Sequence, residues 1–144
     1  MVECTFCRIV KGLEQASFVF SDETVMAFMD IRPVNLGHLL IIPKTHLASL
    51  SELDEETGAC MFKVAMRLAQ AVRQSGVKCE GINLLLSDGE AAFQEVFHIH
   101  LHIIPRFKGD AFSVRFGRKY GLEPERTELD KIALNIRKAM GETI

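Results

Sequence analysis

Apolar residues recur with two different periods along this chain, and the changes of period mark out its elements. Residues 17–21 (Ser-Phe-Val-Phe-Ser) and 24–30 (Thr-Val-Met-Ala-Phe-Met-Asp) are short apolar-rich runs separated by Asp22-Glu23, and they predict a β-hairpin. Arg32-Pro33 closes the second run, because proline has no N–H for the ladder. Residues 37–43 (Gly-His-Leu-Leu-Ile-Ile-Pro) are nearly all apolar and predict a central strand, and 81–88 and 97–104 predict a fourth and a fifth. Between the third and fourth runs the spacing becomes helical. Phe62, Ala65, Met66, Ala69 and Val72 form an apolar stripe over about 54–75, with Lys63, Arg67, Gln70 and Arg73 elsewhere. Ser51 or Asp54 suits the start of that helix and Gly76 its end. A second helix is predicted over about 128–140. Thr127 with Asp130 resembles a capping box there, Leu129, Ile132, Ala133 and Ile136 make the stripe, and Gly141 follows. A short helix from about Thr5 to Lys11 precedes the hairpin. Consecutive strands with segregated helices predict an α+β fold on an antiparallel sheet. No repeat or linker interrupts the pattern, so a single domain is expected over 1–144.

The size and charge narrow the functional classes. A chain of 144 residues with 48% apolar and 25% charged residues can bury a core without disulfides. Its net charge of -2 provides no basic footprint for a nucleic-acid polymer and no polybasic membrane patch. A small anionic ligand stays open, because local donors rather than net charge hold phosphates. No apolar run approaches the length of a membrane span, and no leader pattern opens the sequence. A cytoplasmic location with reduced cysteines is therefore expected. Cys4 and Cys7 form a C-x-x-C, which in that setting reads as metal or redox chemistry before disulfide.

Residues 98–106 read His-Ile-His-Leu-His-Ile-Ile-Pro-Arg, and three of the five histidines fall there at i, i+2 and i+4. Strand alternation puts His98, His100 and His102 on one face and Ile99, Leu101 and Ile103 on the other. Each imidazole carries polar nitrogens that need partners, so a row of three belongs beside water, a ligand or a metal. At roughly 3.3 Å per residue the outer two Cα atoms lie about 13 Å apart, too far for one ion to hold all three comfortably. The three rings are expected to divide their duties. A neutral imidazole with a pKa near 6.5 suits nucleophilic attack on phosphorus, with its second nitrogen oriented by a hydrogen bond.

This run resembles the signature of the histidine-triad family, and its Pro-Arg ending is similar to that of diadenosine-polyphosphate-hydrolase-like members. Phe28-Met29-Asp30-Ile31-Arg32-Pro33 resembles the family's nucleoside-binding strand end, and Gly37-His38-Leu39-Leu40-Ile41-Ile42-Pro43-Lys44-x-His46 its following strand. The resemblance covers about residues 3–110 and leaves a helical extension over about 111–144. It implies a five-stranded antiparallel sheet with a long helix and short flanking helices, in a homodimer. It implies His100 as the nucleophile at an α-phosphorus, His102 as the phosphate-holding or proton-transferring ring, and His98 as the residue that orients the array. Asp30 would grip the ribose, and Phe28, Ile31 and His38 would line the base pocket. Ser87 and Gln94 would approach the phosphates. The usual bound product is a purine nucleotide such as AMP.

Three positions depart from the family pattern. Phe93-Gln94-Glu95-Val96 stands where Gly-Gln-Ser/Thr-Val is common, and Ser87 where Asn or Gln is common. Phe93 replaces a glycine that admits close approach of backbone to phosphate, and Glu95 replaces a leaving-group hydroxyl. Some bacterial members bind zinc with two cysteines and two histidines, which implies a structural site of Cys4, Cys7, His46 and His98 here. The leading expectation is an enzyme acting through a nucleotidyl-histidine on dinucleoside polyphosphates or nucleoside phosphoramidates. A nucleotide-binding module with little catalysis is the alternative, and a metal-dependent hydrolase at His98-x-His100 is a third reading.

Overall fold

The structure, a computed structural model, describes residues 4–141. Five strands form one antiparallel sheet in the order β1-β2-β3-β5-β4. They are β1 (Phe18–Ser21), β2 (Val25–Met29), β3 (Leu39–Pro43), β4 (Gly81–Leu86) and β5 (Leu101–Arg106). The apolar run at β3 is buried at every residue and occupies the centre of the sheet, as its composition predicts. Among the described residues there are three α-helices: α1 (Thr5–Val10), α2 (Glu55–Gln74) and α3 (Arg126–Ala139).

Asp54 is the cap of α2, its carboxylate accepting the Thr57 N–H at 2.8 Å, and Gly76 at φ +84° follows the helix end. The buried face of α2 is Met61, Val64, Ala65, Leu68 and Val72. That corrects the predicted stripe: Ala65 and Val72 belong to it, whereas Phe62 and Met66 face out. Both sets have helical spacing, and only the position of the sheet decides between them. This face packs on Val25, Ala27, Leu39, Ile41, Leu101 and Ile103. The opposite sheet face, with Met26, Phe28, Leu40 and Ile42, packs against Phe6 and Ile9 of α1. Leu40 pairs across from His102, so the histidines lie on the side that α1 covers.

The chain divides into two compact units, the first ending at Phe112 and the second beginning at Ser113. In the second unit α3 starts at Arg126 with Glu125 as its cap residue and no side-chain capping bond. Thr127 thus lies inside the helix, and the predicted capping box is not formed. The rings of Phe116 and Tyr120 stack at 3.8 Å between centroids, and every described residue of α3 is exposed. Among the described residues no helix is long and apolar enough to cross a membrane.

Candidate active site and metal centre

The ladder of β5 begins at Leu101, so only His102 of the three histidines lies within the regular strand. His98 and His100 precede it in an irregular approach, held by the Ile99 N–H on the Leu47 carbonyl at 2.7 Å. The alternation nevertheless survives. Ile99, Leu101 and Ile103 are buried, and the rings of His100 and His102 meet edge to face at 4.8 Å.

Each ring has one nitrogen tied to a defined partner. His100 Nδ1 lies 2.7 Å from the His98 carbonyl, an acceptor, so this nitrogen carries the hydrogen and the lone pair is left on Nε2. The backbone N–H of Val34 donates to His38 Nδ1 at 3.1 Å, so in the neutral ring His38 carries its hydrogen on Nε2. His38 Nε2 lies 2.9 Å from His102 Nδ1 and 3.6 Å from a carboxylate oxygen of Asp30. His102 therefore accepts on Nδ1 and presents an N–H on Nε2. The pair on this face is a bare nitrogen on His100 beside an N–H donor on His102. Burial is the main reason the His102 pKa falls to about 4, and the neighbouring His100 and His38 lower it further. Burial also lowers the His38 pKa, against the pull of Asp30. Both rings are neutral near pH 7.

The nucleoside-side residues divide by exposure. Phe28 is buried with its ring 5.5 Å from Phe6, edge to face. Ile31 stands out in solvent, and Asp30 accepts the Arg32 N–H at 2.8 Å, which turns the chain after β2. Ser87 is buried just past the end of β4. Gln94 is buried too, and both ends of its amide are hydrogen-bonded. Its oxygen accepts the Gly89 N–H at 2.8 Å, and its nitrogen donates to the carbonyls of Ala48 at 2.7 Å and Val96 at 3.2 Å. It braces the loop before the triad. Glu95 points to Arg32 at 3.1 Å, which turns its charge toward a cation. Phe93 has φ +64° and is 89% exposed, an unusual conformation for a residue other than glycine.

Cys4, Cys7, His46 and His98 bring one ligand atom each within 4.8 Å of one another. Sγ of Cys4 and of Cys7 each lie 3.6 Å from His98 Nδ1, Cys7 Sγ is 3.2 Å from His46 Nδ1, and the two histidine nitrogens are 3.3 Å apart. Around a tetrahedral zinc with bonds of about 2.3 Å to sulfur and 2.0–2.1 Å to nitrogen, sulfur and nitrogen would stand about 3.6 Å apart and two nitrogens about 3.3–3.4 Å. The donor set and its spacing fit such an ion. His98 completes the pattern: its Nε2 donates to the Pro43 carbonyl at 2.8 Å, which leaves Nδ1 free of hydrogen and turned to the cluster. None of the four cysteines is in a disulfide. Asp30, His38 and His102 also gather within 4.8 Å, but there the short contact is the hydrogen bond between the two rings.

Two participants were not singled out from sequence. Phe6, between the two cysteines on α1, sets its ring edge-on against both His98 and His100 at 5.8 and 5.3 Å. Its place between metal-type cysteines was the available signal. The second is the Pro43 carbonyl, for which a backbone atom offers no sequence signal.

The profile of the HIT domain matches residues 11–109. An uncharacterised HIT-like protein of Borreliella burgdorferi is 40% identical over 94% of this chain and 100% of its own. The crystal structure of a zinc-bound histidine triad family protein from Mycobacterium smegmatis is 42% identical, with a TM-score of 0.74 over 96% of this chain and 97% of that one. That of a HIT family hydrolase from Legionella pneumophila is 35% identical, with a TM-score of 0.61 over 71% of this chain and 91% of its own.

Proposed function

The chain belongs to the HIT family, and from that premise we propose that it is a nucleotidyl hydrolase or transferase working through a covalent intermediate on His100. The observation that carries this reading is the tautomer pattern, a lone pair on His100 Nε2 next to an N–H on His102 Nε2. In the first step His100 Nε2 bonds to the α-phosphorus and the bond from phosphorus to the leaving group breaks. The His102 N–H steadies a phosphate oxygen and the departing group. In the second step water attacks the phosphorus and gives up a proton to solvent, the nitrogen–phosphorus bond breaks, and a nucleoside monophosphate is released. The attack puts positive charge on His100, and its Nδ1–H on the His98 carbonyl stabilises that charge.

Asp30, Phe28, Ile31 and His38 hold the nucleoside in this reading, with a purine such as adenine as its base. Ser87 lies at the phosphate end. Gln94 supports the phosphates indirectly, through the loop it braces. Cys4, Cys7, His46 and His98 hold zinc, which when bound there supplies a structural tie between α1 and the sheet. His98 and Phe6 then fix the ring of the nucleophile from two sides. In this reading residues from about 111 to 144 extend the same domain.

The test is turnover of adenosine 5′-phosphoramidate and diadenosine tetraphosphate, followed by AMP, ADP and ATP release, beside His100→Asn. Activity that falls by several powers of ten in the variant supports the mechanism, and the product pattern names the leaving group. Tight AMP binding with no turnover of either substrate would replace this reading with the binding module.

A further inference from the structure

The segment from Asp30 to His38 carries Asp30, Ile31 and His38, which the proposed function assigns to the nucleoside, yet little apolar burial holds it. Ile31 and Leu36 are 89% and 83% exposed, and Val34 is partly exposed. Its fixed points are polar. Asn35 spends both amide hydrogens, one on the Pro105 carbonyl at 2.9 Å and one on Asp110 Oδ2 at 2.8 Å. Asp110 is itself clamped: Arg106 gives it Nε and Nη2 at 2.6 and 2.8 Å, and its side chain is 3% exposed. Arg106 also reaches the Asn83 side chain at 2.6 Å and the Phe112 carbonyl at 2.7 Å. The guanidinium holds the Asp110 carboxyl well below the usual carboxylate range, so the acceptor for Asn35 is charged at any working pH.

From Asn35 the connection runs to the catalytic face in three bonds. The Asn35 carbonyl accepts the His38 N–H at 3.0 Å and closes a tight turn through Gly37 at φ +96°. That turn sets the His38 ring so that Nδ1 receives the Val34 N–H at 3.1 Å. The hydrogen is thereby kept on His38 Nε2, which gives it to His102 Nδ1 at 2.9 Å. The loop bonds decide the tautomer of His38, and His38 decides that of His102.

We infer that Asn35, anchored by the Asp110–Arg106 clamp, is a positioning residue that keeps His102 in the tautomer with N–H on Nε2. This rests on the proposed role of His102, but its principal readout does not. In wild type, long-range 15N–1H spectra should show His102 protonated on Nε2 and not on Nδ1. In Asn35→Ala the turn loosens, and His102 becomes a mixture of both tautomers. Asn83→Ala serves as the control: it removes another partner of Arg106, which no bond joins to the loop, and should leave His102 unchanged.

Turnover separates the roles further. Asn35→Ala should lose at least tenfold in kcat on adenosine 5′-phosphoramidate, whose amine must be protonated to leave. It should lose far less on the p-nitrophenyl ester of AMP, whose leaving group needs no proton. If Asn35→Ala does not fold, Asp110→Asn keeps the shape, weakens the clamp and is read by the same spectra. A folded variant with the wild-type His102 tautomer overturns the inference, and so does an equal loss on both substrates. If wild type turns over neither substrate, the proposed function fails and the tautomer result still decides this one.

Discussion

Acidification offers a direct measure of how far burial shapes the triad face. The His102 pKa lies at about 4 in the folded protein against an ordinary 6.5, chiefly because the ring is buried. At about pH 7.5 the ring is neutral folded and unfolded, and it contributes nothing to the pH dependence. Below 6.5 the unfolded chain takes a proton that the folded protein refuses, so stability falls as pH falls and the loss is complete below about 4. One pKa unit corresponds to about 1.4 kcal/mol, so the whole gap is worth about 3 kcal/mol, of which about 2 kcal/mol is lost by about pH 5. The assay is urea unfolding of wild type and His102→Gln across that range, with metal present in both. The variant should be less stable than wild type near neutrality, and the difference should shrink by about 2 kcal/mol on going to about pH 5. Parallel curves for the two proteins would refute the argument, because they would mean that His102 protonates as easily folded as unfolded.

Three further outcomes follow from local geometry. At Gly37 an added Cβ would stand 2.7 Å from Val77 Cγ1 on a backbone at φ +96°, so Gly37→Ala should cost about 2–4 kcal/mol by urea midpoint, and a cost under about 1 kcal/mol would show that the turn relaxes. Phe93→Gly removes the left-handed strain of a largely exposed side chain and should raise stability by up to about 1 kcal/mol, whereas a clear fall would mean that the ring packs on something. Purified protein should hold one zinc per chain by elemental analysis and lose thermal stability on chelation, and Cys7→Ala should lose both the metal and the response; an unchanged metal content in that variant would remove Cys7 from the ligand set.

Local chemistry was legible in the sequence because its causes act within a few residues. Asp54 and Gly76 bound α2 through contacts one turn long. The hairpin around Asp22-Glu23 and the apolar β3 follow from strand geometry alone, whereas the alternation of His98, His100 and His102 with aliphatic neighbours outlasts the regular strand, which begins only at Leu101. The metal set and the nucleoside residues could be proposed only through resemblance to other chains. Periodicity could not choose between two faces of α2, since Phe62 and Met66 fit a helical stripe as well as Met61 and Leu68 do. It could not show that Thr127 falls inside α3. The rest depended on strand order. Placing β5 beside β3 sets His102 against His38, 64 residues away, and brings His98 to the Pro43 carbonyl and to the cysteines of α1. The same pairing fixes which imidazole nitrogen carries hydrogen. Tautomers are set by hydrogen-bond partners from distant segments, so the reactive state of these histidines was decided only by the tertiary structure.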